Sequence, residues 1–90
     1  MACRSSGVLL THKLIAQGQI KLVSIHATET AAGAAVVKVF DGLDNTGTEV
    51  ARITLAANQT IEFDMHGVIC TTGLYYEELS GSAAVSVEFN

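Results

Sequence analysis

The stretch AAVSVEF, residues 83–89, sets Ala83, Val85, Val87 and Phe89 in strict alternation with Ala84, Ser86 and Glu88. A repeat of two is the spacing of a β-strand, whose successive side chains point to opposite faces. One face of this segment is therefore read as buried and the other as solvated. TIEFDM, residues 60–65, repeats the pattern, with Ile61, Phe63 and Met65 on one side and Thr60, Glu62 and Asp64 on the other. Working outward by the same rule, further strands are predicted over 7–16, 19–28, 34–41, 48–56, 67–71 and 74–79, eight in all. No segment sustains helical spacing over three turns. AAGAAVVKVF, residues 31–40, holds good helix formers, but Gly33 and the following β-branched residues oppose a helix.

Gly18, Gly33, Gly42, Gly47, Gly67, Gly73 and Gly81 fall between these runs or at their ends, and proline is absent. The connections must therefore be made by Gly, Asn and Asp. His66–Gly67 is read as the turn between two strands, 60–65 and 67–71. Many short strands with regular turn signals predict an all-β fold, about eight antiparallel strands in a jelly-roll or Greek-key sandwich. Met1–Ser6 shows no period and is read as an N-terminal arm, followed by a single β-sandwich domain over residues 7–90.

Ninety residues suit one domain with a modest core. Hydrophobic residues are 49% of the chain, but aromatics are only 6% and Trp is absent. A core of small branched side chains buries less area per residue, so apolar surface is expected to be covered by copies of the chain or by another protein. The net charge is −4, and Arg4, Lys13, Lys21, Lys38 and Arg52 are scattered. That distribution offers no stripe to neutralise successive phosphates, so no nucleic-acid partner is expected. In MACRSSGVLLTHKLIA, residues 1–16, the apolar run is interrupted by Thr11, His12 and Lys13. It makes a poor signal peptide and is too short to span a bilayer, so no membrane partner is expected. Cys3 and Cys70 are not expected to pair, which fits synthesis in a reducing compartment.

The most polar stretch is DGLDNTG, residues 41–47. A calcium loop needs several oxygen ligands converging on one point, and Asp41, Asp44 and Asn45 lack the EF-hand spacing. The segment Asp41–Asn45 is read instead as a bend, with Asp and Asn bonding local amides and Gly42 and Gly47 at positive φ. His12, His26, His66 and Cys70 have no zinc spacing. No G-x-S-x-G elbow or glycine-rich phosphate cradle is present. Glu77 and Glu78 are adjacent on a strand and point to opposite faces, so they cannot share a substrate. Tyr75 and Tyr76 split likewise, one ring entering the core and the other sitting at a surface, where tyrosine favours protein or sugar contacts. The expectation is a non-enzymatic protein with no catalytic, cofactor-binding or metal-binding residues and no cofactor. A carbohydrate-binding, lectin-like module is the alternative; it predicts an exposed aromatic platform and is compatible with a cation at the Asp41–Asn45 bend.

Four segments carry a resemblance: KLVSIHATET (21–30), VVKVFDGLDNTGTEV (36–50), TIEFDMHGVICTTGLYYEEL (60–79) and SGSAAVSVEFN (80–90). The features are a short SIH strand, a strand ending in FDG, the FDMHGV turn, TGLYY and a final alternating strand. Over roughly residues 19–90 the chain resembles a small virion protein type of tailed bacteriophages of aquatic bacteria. The resemblance implies a β-sandwich attached to the capsid as a decoration or cement protein, or forming part of the tail or fibre. It further implies many copies per particle, a homo-oligomer with a trimer favoured, other virion proteins as partners, synthesis in the host cytoplasm and residence in the virion. MACRSSGVLL, at the N-terminus, carries no part of it.

Overall fold

In a computed structural model, which describes residues 4–90, the chain forms eight β-strands and no helix. They are β1 (Arg4–Ser5), β2 (Lys13–Gln17), β3 (Ile20–Glu29), β4 (Ala35–Asp41), β5 (Thr48–Leu55), β6 (Thr60–Cys70), β7 (Gly73–Ser80) and β8 (Ala83–Phe89). Two four-stranded sheets result, with orders β1-β8-β3-β6 and β2-β7-β4-β5, and every pairing is antiparallel. The first strand pairs with the last, the second with the seventh, the third with the sixth and the fourth with the fifth. The chain is thus one long hairpin with its tip between β4 and β5. Rolling that hairpin brings β8 onto β3 and β7 onto β4, which makes the sandwich a jelly roll.

The core lies between the sheets. Leu22, Ile25, Val37, Val39, Leu55, Leu74, Tyr76, Val85 and Val87 are buried there with Cys70 and Ala35. Strand β8 alternates buried and half-buried residues without a break, as its sequence predicts. Each fully buried Val or Leu contributes roughly 1.5–3 kcal/mol relative to exposure. That burial, summed over strands adjacent in space but remote in sequence, holds the two sheets together.

Three expected boundaries are corrected. Residues 7–16 are not one strand. Leu9 forms an isolated bridge with Val85 and is buried, while Val8 and Leu10 are exposed, and regular pairing starts only at Lys13. The arm expected over 1–6 is in part a strand, since Arg4 and Ser5 pair with Phe89 and Glu88. Ser6 N donates to the Val87 carbonyl at 2.8 Å, and the Arg4 guanidinium lies 4.7 Å above the Phe89 ring. Those bonds cover a stretch of β8 that would otherwise be an open sheet edge. Residues 1–3, with Cys3, lie outside the described residues.

Residues 60–65 and 67–71, expected as two strands, are one. Pairing with β3 runs through Ser24↔Asp64 and resumes at Leu22↔Val68, so β6 carries extra residues between these points. His66 (φ 55°) and Gly67 (φ 80°) both take left-handed backbone, and Asp64 Oδ1 accepts the His66 amide at 2.8 Å. The signal read as a turn between strands is a β-bulge inside one strand. Because β6 ends its sheet, the apolar side of its first half is only partly covered: Phe63 is 40% exposed and Ile61 and Met65 are half-buried.

Candidate functional site

The β4–β5 tip is a bend, built differently from the expectation. Asp41 closes β4, and its carboxylate does not bond local amides. Its Oδ2 accepts from Thr71 N at 3.0 Å, and its Oδ1 accepts from Thr72 N at 2.9 Å, so it clasps the β6–β7 connection. These amides hold the Asp41 carboxyl below its ordinary range. Asp44 behaves as expected of a turn residue, with Oδ1 accepting the Thr46 amide at 2.9 Å and the Thr46 hydroxyl. Gly42 and Gly47 are not at positive φ. They are needed for close approach: a Cβ on Gly42 would lie 2.9 Å from Gly47 Cα, and one on Gly47 would lie 2.5 Å from the Asp41 carbonyl oxygen. Asp41 and Asp44 therefore spend oxygen lone pairs on the chain's own donors, which is the chemistry of a pinned bend.

A second carboxylate clasp escaped the sequence reading. Glu29, the last residue of β3, is 2% exposed. Its Oε1 accepts from Asn58 N at 2.9 Å and its Oε2 from Ala31 N at 2.8 Å. The Asn58 amide above all, with those of the 31–33 turn, lowers its pKa despite desolvation. The signal was present, since Glu29 shares the inward parity of Ile25 and Ala27, and an acid on a buried parity requires donors.

The histidines do not converge. His12 is exposed just before β2 and His66 is exposed at the bulge of β6, where its Nδ1 lies 3.6 Å from Asp64. His26 stands on the outer face of β3, with Nε2 2.9 Å from Glu88 Oε1 and 3.5 Å from Glu62 Oε2. Ser24 Oγ also donates to Glu88 Oε1, at 3.0 Å. Serine and imidazole both address one carboxylate rather than each other, so the row ties β8, β3 and β6 together and does not form a nucleophile–base pair. Cys70 is buried and free; burial, and secondarily the Asp41 charge, push its thiol pKa up, which suppresses the reactive thiolate. Among the described residues no group of three or more His, Cys, Asp or Glu side chains is placed to hold a metal ion.

Tyr75 and Tyr76 split between faces, as adjacent strand residues must. Tyr76 is fully buried, whereas Tyr75 sits half-buried on the outer face with its ring 6.4 Å from that of Phe40. Glu77 and Glu78 split likewise. Glu77 lies opposite Lys38, and Glu78 accepts the Ala83 amide. The paired tyrosines therefore do not make the flat aromatic platform that sugar recognition uses.

What the surface does present is apolar side chains and strand edges. Val8, Leu10, Leu43, Phe63, Ile69 and Leu79 are each 40–69% exposed. The long edges are β6 in one sheet and β5 in the other; β1 and β2 are edges of two and five residues. On the outer face of β5, Glu49 is held by Arg52, whose Nε and Nη2 each donate at 3.0 Å, and by Lys38 Nζ at 3.3 Å. Residues three apart on a regular strand face opposite ways. A register shift opposite Val39 and Phe40 leaves Val50 as an extra residue and puts Glu49 and Arg52 on one face. The chain matches no known protein-family model, no curated protein and no solved structure.

Proposed function

We propose that the chain is a non-enzymatic structural protein of a virion, a jelly-roll module on the capsid or tail that acts by self-association and by docking on other virion proteins. The observation that carries this reading is the pairing of a closed core with an incompletely covered exterior. Among the described residues Cys70 is buried and His26 and Ser24 are held by Glu88, while large apolar residues and two long strand edges are left at the surface. Open strand edges flanked by exposed apolar side chains are groups that a copy of the chain or another protein can cover. Jelly rolls are a recurrent architecture of viral shells, and the sequence resemblance points the same way. On this reading the protein is made in the host cytoplasm, resides in the virion and forms a homo-oligomer, for which the resemblance favours a trimer.

The test is cosedimentation of purified protein with phage shells and, separately, with tails assembled without it, together with analytical ultracentrifugation of the protein alone. Saturable binding to one of the two particles and a mass above the monomer are expected. A protein that stays monomeric at millimolar concentration and remains in the supernatant of both would refute the reading.

A further inference from the structure

We infer that the free edge of β5 is a self-pairing surface whose occupant is β5 of a second copy, antiparallel and related by a two-fold axis between Val50 and Ala51. The inference deepens the self-association reading above and rests on it. Four strands end the two sheets, and they differ in what a copy of themselves would meet. Strands β1 and β2 are short, which is one way natural proteins blunt an edge. Strand β6 is long but kinked at His66–Gly67, and its outer face carries Glu62 and Asp64. A two-fold centred on Glu62, Phe63 or Asp64 sets carboxylate against carboxylate, and like charges directly opposite destabilise a sheet.

Strand β5 gives the opposite result. About an axis between Val50 and Ala51, Glu49 lies opposite Arg52 of the second copy, Val50 opposite Ala51, and Thr48 opposite Ile53. In an undistorted strand this register is forbidden, because it would set outward residues against inward ones. The extra residue at Val50 removes the conflict: Glu49 and Arg52 both face outward, while Val50, Ala51 and Ile53 all face the core side. The feature that allows the ion pair within one chain is the same feature that makes the strand complementary to itself. Arg52 is 56% exposed at its side chain and uses Nε and Nη2 on its own Glu49, which leaves further N–H donors for a second carboxylate. The product is an isologous contact joining the two β2-β7-β4-β5 sheets into one sheet of eight strands. A three-fold ring would use a different, heterologous surface.

The experiment uses the full chain with Cys3→Ser, which leaves buried Cys70 as the only native thiol beside each added cysteine. Glu49→Cys and Arg52→Cys proteins are prepared separately and mixed under oxidation. Directly opposed residues of antiparallel strands have a Cα spacing that a disulfide spans, so the mixture should cross-link rapidly and each variant alone should not. In sedimentation, Arg52→Glu and Glu49→Arg should each raise the dissociation constant of the pair about tenfold. The double exchange Glu49→Arg/Arg52→Glu should restore it to within about threefold. Thermal melts of the same variants report whether each is folded. Cross-linking of the mixture with charge-exchange rescue supports the proposal. An oligomer that forms without mixed cross-linking and ignores both single exchanges overturns it while leaving self-association standing. A folded monomer at millimolar concentration overturns both.

Discussion

Strands β8 and β6 flank β3 in the same sheet, and their sequences alternate with the same period. Their fates differ. In β8, Val85 and Val87 are fully buried, with neighbours on both sides of the strand. In β6, Phe63 points inward and is still 40% exposed, because the strand has a neighbour on one side only. Alternation says which face of a strand is apolar; position in the sheet decides how deep that face lies. The two strands are also held by different forces. Burial does most to secure β8, with one carboxylate, Glu78, on the Ala83 amide at its start. Strand β6 is instead fastened at both ends by carboxylate clasps, Glu29 to Asn58 just before it and Asp41 to Thr71 and Thr72 just after it.

The contrast breaks most sharply if one charge is moved between the two strands. Val87→Asp should abolish cooperative folding, since a carboxylate at that depth has no donor and carries a penalty of several kcal/mol. Phe63→Asp should leave a folded protein with a sharp thermal transition. Equal loss of the near-UV signal and melting transition in both variants would show that the edge is as closed as the centre.

Next in size is Gly47→Ala, expected to cost about 2–3 kcal/mol in urea unfolding. The new methyl would press on the Asp41 carbonyl and so disturb the clasp at the C-terminal end of β6. A variant within about 0.5 kcal/mol of the parent would mean that the tip relaxes freely.

Acid should separate the strands. The Glu29 and Asp41 carboxyls titrate below their ordinary values of 4.5 and 3.8, so their stabilisation is complete above that range. It is lost as pH falls through the lower folded values, because the unfolded chain then binds protons more readily. Hydrogen exchange at pH 3 should show β6 amides losing protection ahead of those of β8. Glu29→Gln and Asp41→Asn should produce part of that loss at pH 7 and flatten the remaining acid dependence. Uniform loss across both strands would remove the distinction.

The smallest effect is expected from Tyr76→Phe. The Tyr76 hydroxyl is buried with no hydrogen-bond partner among the described residues, and burial, with a smaller contribution from Glu78, drives its pKa far up. Removing an unsatisfied polar group should raise stability by about 1 kcal/mol in thermal melts. Destabilisation by a similar amount would reveal a partner for that hydroxyl and a more polar core than the strands around β8 indicate.

Local chemistry made much of this legible. Alternation placed β8 and the splitting of Tyr75 from Tyr76, and DGLDNTG marked the hairpin tip. Legibility failed where a residue's partner is remote in sequence. Glu29 finds Asn58, Asp41 finds Thr72, and Arg4 finds Phe89 only after the chain has rolled up. The turn read at His66–Gly67 was a true local signal, for both residues do take positive φ. Only pairing with β3 decides that the chain resumes the same strand beyond it.

By itself the sequence determined that this chain is all-β, because the side-chain period is a property of each strand alone. Tertiary structure decided which strands are central and which are edges, which acids act as clasps and which apolar residues stay uncovered. Those outcomes depend on contacts between segments tens of residues apart, whose order in the sheets no local pattern encodes.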